Sequence, residues 1–371
     1  MFKTYLRAGV LAGAAALLSA CGGGGSHSSV VPGQSSPRSP QTLGAETRYT
    51  PPVAPVSATT NLAGITGGVD GNLYFAETSV ATTCTLGGCS GRISKLTTAG
   101  SITQYGLPNY IDANNVGHPV YPFSLMQGAD NNIWFLSADG YFGHIATDGT
   151  GVTLYDLHQL GSDTSGTFND FTQGADGSFY VAETSPERII KVTTTGTASV
   201  FNSSLSSGAN VGLILLNGDN NFYFTERGTN KIGKLDSTGT TLSEYASTAS
   251  GSYQPLGLTS DGTNVWYVAQ GVSGSSGQRL VQMSSSGTIV SNYAITSSPA
   301  GIGPIARYRG TYTWTVNDNV SRIRNTTGVV NDFTLSHTSP GTPINGMTAG
   351  SDGNMWFTDP ANNQIVKIRT S

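Results

Sequence analysis

The sequence predicts an all-β protein, a seven-bladed β-propeller whose last blade is closed by an N-terminal strand. Three observations carry this reading: a phrase that recurs seven times, a spacing that fits four strands, and a final copy one strand short. The phrase pairs Asp with Gly or Asn and continues into large β-formers. Its copies start at Asp70-Gly71, Asp130-Asn131, Asp176-Gly177, Asp219-Asn220, Asp261-Gly262 and Asp352-Gly353, with a degraded copy at Arg309-Gly310. The second residues fall at 71, 131, 177, 220, 262, 310 and 353, giving steps of 60, 46, 43, 42, 48 and 43. Such a period, built of strand pattern alone, corresponds to one four-stranded blade per repeat.

Each element of the repeat has a local reason. Asp-Gly and Asp-Asn favour positive φ and so make a tight turn between the first two strands. The second strand carries Tyr74, Trp134, Tyr180, Tyr223, Trp266, Trp314 or Trp356, large side chains suited to packing between sheets. In the third strand apolar and polar residues alternate, as in Arg92–Leu96, Arg188–Val192, Lys231–Leu235 and Gln364–Ile368. A glycine turn follows (Gly100, Gly149, Gly196, Gly239, Gly287, Gly328), then a fourth strand with an aromatic residue such as Tyr105 or Tyr245. The seventh repeat stops after its third strand, at Ser371. Gly44-Ala45-Glu46-Thr47-Arg48-Tyr49 has the missing glycine-turn, polar, aromatic form, so it is expected to complete the last blade and remove an open edge. The alternative is a segment outside the fold.

Composition bounds the class. Only 11% of the 371 residues are charged, 49 are Gly and the net charge is −4, which excludes the basic stripe of a nucleic-acid binder. The division expected is residues 1–20 as a lipoprotein signal peptide, 21–42 as a flexible Gly/Ser/Pro tether and 43–371 as the propeller. Lys3 and Arg7 precede an apolar run, Ala8 to Leu18, too short to span a bilayer. Leu18-Ser19-Ala20-Cys21 resembles a bacterial lipobox, which implies cleavage before Cys21 and lipidation of that residue. The alternative is ordinary cleavage beside an incidental cysteine. Thioether and amide lipid chains together suffice for lasting anchorage. No Asp follows Cys21, so the lipoprotein rule implies the outer membrane of the cell envelope in a Gram-negative host. Cys84 and Cys89, in an exported protein, read first as a disulfide. Zinc lacks ligands there.

Chemistry-bearing motifs are sparse. His27, His118, His144, His158 and His337 form no metal-binding pair and flank no nucleophile, and no nucleophile elbow or phosphate loop is present. Glu77, Glu183, Glu226 and Asp359 end the second strands. They face Arg92, Arg188, Lys231 and, further along, Lys367, which predicts cross-strand ion pairs. The competing reading is a cation-binding ring of carboxylates on one rim.

The repeat form Ile65-Thr66-Gly67-Gly68-Val69-Asp70-Gly71-Asn72-Leu73-Tyr74-Phe75-Ala76-Glu77, with Asn230–Leu235 and Ser243-Glu244-Tyr245, resembles the virginiamycin B lyase (streptogramin lyase) family across residues 43 to 371. NHL-repeat propellers are the second resemblance. The resemblance implies a seven-bladed propeller and Mg²⁺-dependent elimination opening a cyclic depsipeptide lactone. It also implies working residues at the mouth of the innermost strands: a His base in each of the last two blades, a Glu near the final His and a Tyr in the first blade. This chain departs at each place. Pro299-Ala300-Gly301-Ile302 has Ala for His, Pro343-Ile344-Asn345 has Ile or Asn, neither Gly341 nor Thr342 replaces the Glu, and Ala63 stands for Tyr.

The equivalent channel-mouth positions are Ala63, Phe123, Asn169, Gly212, Leu256, Ala300 and Asn345, a small, mildly apolar set that suits an apolar or saccharide-like ligand. The expectation is therefore an envelope-anchored binding or interaction scaffold with no catalytic residue, metal or cofactor assigned. The alternative is a divergent lyase, in which Mg²⁺ would enter, or another propeller hydrolase. Expected partners are the membrane, through the Cys21 lipid, and a small molecule, saccharide or protein at one rim. Nucleic acid is not expected, and the chain is expected to be a monomer.

Overall fold

The computed structural model describes residues 43–52, 59–80, 90–137, 139–159, 166–272, 274–295, 304–308, 311–316, 319–336 and 346–371. Among them there is no α-helix, and seven four-stranded antiparallel sheets make a seven-bladed propeller. Blades 1 to 6 each use four consecutive strands, beginning with Thr59–Gly67, Pro122–Gln127, Thr167–Gln173, Val211–Leu216, Tyr253–Ser260 and Ile305–Tyr308. Blade 7 takes Met347–Ala349, Met355–Asp359 and Gln364–Ile368 from the C-terminal region and Glu46–Tyr49 from the N-terminal one. That outer strand pairs Glu46 with Ile368 and Tyr49 with Ile365, as the incomplete seventh repeat predicts. The first strands of neighbouring blades pack against one another, blade 7 against blade 1 included.

The recurrent phrase is a local hydrogen-bonded unit. Its second residue has positive φ in each described copy, for example +76° at Gly71 and +67° at Asn131. Asp70 accepts from the Asn72 backbone N–H at 3.1 Å, from the Tyr74 hydroxyl at 2.8 Å and pairs with Lys95 at 2.7 Å. Asp352 does the same with Asn354, the Trp356 indole and Lys367. Partial burial raises the Asp70 pKa, but donation from Lys95, Asn72 and Tyr74 outweighs it and holds the carboxyl at about 2. The sequence needs Asp there because one carboxylate caps the turn and holds both the aromatic tip and the third-strand lysine.

The core lies between blades. Along the second strand of blade 1, Tyr74 and Ala76 pack against blade 2, while Leu73 and Phe75 pack against blade 7. Alternation of period two thus buries both faces, and the strand reads as an unbroken apolar run. The glycine turn before each fourth strand receives an aromatic ring from the preceding blade. A Cβ at Gly149 would lie 2.1 Å from Tyr105, and one at Gly44 (φ +82°) 2.1 Å from Phe333. The same contact recurs for Tyr155 on Gly196, Tyr245 on Gly287 and Tyr293 on Gly328. The long first step of 60 residues is explained by an inserted hairpin, Tyr110–Ile111 against Gly117–His118.

Candidate functional site

The first strands converge on the propeller axis and line an open cavity of about 240 Å³. All seven blades contribute to its wall, which includes Ile65, Phe123, Leu125, Ile214, Leu258, Ile305 and Met347. Each first strand in blades 1 to 5 carries a register break against the second strand. The breaks fall between Leu62 and Ile65, Pro122 and Ser124, Phe168 and Asp170, Val211 and Ile214, and Pro255 and Gly257. Ala63, Phe123, Asn169, Gly212 and Leu256 all sit inside these bulges, where an extra residue bends the strand and re-aims its neighbours.

The bulges split the predicted positions. Phe123 and Asn169 line the cavity. Ala63 is instead buried in the core between blades 1 and 2. A Cβ at Gly212 would meet Thr225 Oγ1 at 2.8 Å and Arg227 Cδ at 3.1 Å, so this residue faces its own second strand. In blades 1, 4 and 5 the wall is formed one or two residues later, by Gly64, Leu213 and Leu258. Ala300 and Asn345 lie outside the described residues, as do Cys21, Cys84, Cys89, His27 and His337. The Asn169 amide donates to Val211 O at 2.6 Å and Thr184 Oγ1 at 2.7 Å, tying blade 3 to blade 4.

Asp170 is the functional candidate that sequence reasoning missed. It follows the bulge of blade 3 and lines the cavity. Its Oδ1 accepts from Ser124 Oγ of blade 2 at 2.8 Å, and its Oδ2 from the Ile214 N–H of blade 4 at 3.1 Å. Burial pushes its pKa up to about 6, against the opposing pull of those two donors and of the Phe171 N–H. The available signal was positional: the equivalent residues are Gly64, Ser124, Leu213, Gly257 and Gly346, so an acid there breaks the pattern.

The acids closing the second strands are buried, each no more than 1% exposed, and do not form an open carboxylate rim. Glu77 is held by Arg92 at 2.8 Å, by Ser94 and by Gln104 at 2.9 Å. Glu183 pairs with Arg188. The other two pairings differ from expectation. Lys231 turns to Glu244 at 2.6 Å, and Glu226 keeps a hydrogen bond from Thr229 while its Oε1 has no partner. Asp359 is met by Arg48 of the closing strand at 2.9 Å, because Lys367 is engaged by Asp352. Burial, reinforced by nearby Glu244, raises the Glu226 carboxyl to about 7. His144 packs tilted against Trp134, with ring centroids 4.5 Å apart, and burial lowers its pKa. His118 contacts Asp112 at 3.2 Å and His158 contacts Asp156 at 2.7 Å. None of these three lines the cavity. Among the described residues no three His, Cys, Asp or Glu side chains converge as metal ligands.

A sequence profile described as the virginiamycin B lyase family matches residues 64–300, well over half of the chain. The chain belongs to the virginiamycin B lyase family. Solved structures agree on the fold. A streptogramin B lyase structure superposes with a TM-score of 0.70 at 23% identity, covering 89% of this chain and 98% of that one. A catalytically inactive histidine-to-alanine variant of virginiamycin B lyase from Staphylococcus aureus, with quinupristin, gives 0.69 at 19% identity, covering 88% and 99%. The WD40 β-propeller domain of Doa1 gives 0.59 at 12%, covering 89% and 96%. No curated protein matches the chain. At these identities the structural likeness extends to the fold of this virginiamycin B lyase family member and not to its chemistry.

Proposed function

We propose that this virginiamycin B lyase family member is an envelope-tethered binding protein that takes a largely apolar ligand at its axis and does not open streptogramin rings. The observation that carries the reading is the central cavity: a wall of Phe123, Leu125, Leu213, Ile214, Leu258 and Met347, with a few convergent polar groups at Ser124, Asn169 and Asp170. An apolar pocket with a small polar set is the usual form of a small-molecule site. Ligand burial there displaces water from hydrocarbon surface, and the polar set fixes orientation. The cavity walls are first strands braced from both sides, so the site is preformed and binding requires little ordering.

The family's working positions support the absence of lyase chemistry. Ala300 stands where the resemblance places a histidine, and one S. aureus relative is described as inactive after a histidine-to-alanine replacement. Loss of a general base typically lowers a rate about 10²–10⁴-fold. Tethering rests on Leu18-Ser19-Ala20-Cys21 and the Gly/Ser/Pro-rich stretch that follows it. The deciding experiment incubates the purified protein with a type B streptogramin and Mg²⁺ and separates the products chromatographically. Unchanged cyclic antibiotic is expected. A linearised product would replace the binding reading with that of a divergent lyase.

A further inference from the structure

The cavity's chemistry narrows the ligand class, on the reading that the cavity is a binding site. Asp170 is the one ionisable side chain among the described residues that line it, and none of those residues is Lys, Arg or His. Three of the fully buried acids behave differently. Glu77, Glu183 and Asp359 each hold a guanidinium, from Arg92, Arg188 and Arg48. Asp170 holds only neutral donors, the Ser124 hydroxyl, the Ile214 N–H and the backbone N–H of Phe171. A carboxylate has about four lone-pair sites, so acceptor capacity remains. A carboxylate drawn out of bulk water without a countercharge is costly, and a cationic group brought beside it relieves that cost.

Position adds to the charge argument. Asp170 is fixed by contacts to the two flanking blades, 46 and 44 residues away in sequence, so the carboxylate does not swing out to solvent when a ligand arrives. Opposite it the wall is hydrocarbon, from Leu258, Ile305 and Met347. A ligand matching both features carries a compact donor-rich cation on a small apolar body. An ammonium has three donors and no acceptor.

We propose that the central cavity selects small apolar ligands bearing a primary ammonium group, with the ammonium on Asp170 and the hydrocarbon against Leu258, Ile305 and Met347. The probes are benzylamine and benzyl alcohol, near-isosteres that differ in charge, titrated calorimetrically into the purified full chain at low salt and neutral pH. Benzylamine should bind at least ten-fold more tightly than benzyl alcohol. Asp170→Asn should reduce the amine to the affinity of the alcohol, and Leu258→Trp, which fills the cavity, should weaken both. Asp148→Asn removes an exposed turn carboxylate outside the cavity, so the amine preference must survive it. Should Asp170→Asn fail to fold, the wild-type ratio and its block by Leu258→Trp still decide. Benzyl alcohol binding that Leu258→Trp blocks, with no preference for the amine, would overturn this inference and leave the cavity reading standing. Binding of neither probe to the wild type would overturn both.

Discussion

Tyr49 occupies the space that a side chain at Gly100 would need. A Cβ on Gly100 would fall 2.4 Å from Tyr49 Cε1, and the glycine itself has φ +103°. Tyr49 belongs to the strand that completes blade 7, and Gly100 to the glycine turn of blade 1. The same strand is preceded by Gly44, whose missing side chain admits Phe333 of blade 6. The N-terminal segment is thus joined to both neighbours by the contact that links the other blades. It is a full member of the ring.

Gly100→Ala should therefore destabilise the fold by about 2–3 kcal/mol, through overpacking and an unfavourable backbone angle. Tyr49→Ala removes the obstructing ring, so the double variant should be more stable than the sum of the single losses implies. Denaturant titration of the four proteins measures this coupling. Strict additivity would mean that the two residues do not share a joint.

Deletion of residues 22–40 should leave the melting temperature unchanged. Extending the deletion through Thr50 removes four ladder partners, Glu46 to Tyr49, and the Arg48 guanidinium that neutralises buried Asp359. Removing one partner of a buried pair typically costs about 3–5 kcal/mol. A marked fall in melting temperature is expected for the longer deletion alone. Equal melting of both would contradict the closure's role in stability.

Glu226 makes stability depend on pH. Its folded pKa of about 7 lies above the ordinary 4.5, so the folded protein keeps a proton that the unfolded chain releases. Stability from this group is present in full below about pH 4.5 and is lost as pH rises through 7. Glu226→Gln keeps the acceptor for Thr229 and cannot ionise. It should raise stability at pH 8 by about 1–3 kcal/mol relative to wild type and leave pH 4 unchanged. Melting curves across that range check the sign. A variant that parallels wild type at every pH would exclude Glu226 as the source.

Labelled palmitate should enter the wild-type protein in cells and not Cys21→Ser. Equal incorporation would refute lipidation at Cys21, and with it the anchor. In protein purified from the envelope, mass spectrometry without reductant should find Cys84 and Cys89 oxidised.

The fold was legible because its signals are local. The turn made by Asp70, Asn72 and Tyr74 lies within five residues, and it repeats. Closure was legible from a deficit, since one repeat lacked what Gly44 to Tyr49 had spare. The channel-mouth positions were legible as a register, because Phe123 and Asn169 recur at one offset before the phrase, but not as a surface. A bulge decides which side chain turns inward, and it moved the wall from Ala63 to Gly64 and from Leu256 to Leu258. Asp170 was hidden for a different reason. Its side-chain partner Ser124 and the Ile214 N–H come from two other blades, so only comparison between repeats marks it. The pairing of Lys231 with Glu244 was likewise a choice between two nearby acids that only the fourth strand's position resolves.

The closing strand also sets an order on synthesis. Glu46–Tyr49 is made before every other strand of the propeller, and its partner Gln364–Ile368 after them. Gly44 N donates to Arg369 O at 2.9 Å, and Arg369 N to Ala45 O at 3.0 Å, so the chain segments flanking the first and last propeller strands clasp each other directly. Contacts so distant in sequence form late, after a large loop-closure entropy has been met. Until the C-terminal residues emerge, blades 1 and 6 each present an unclasped flank, and the nascent protein is an open stack and not a disc. A ribosome that stalls before residue 364 therefore leaves a chain in which the blade sequences are nearly all present but the circle is not.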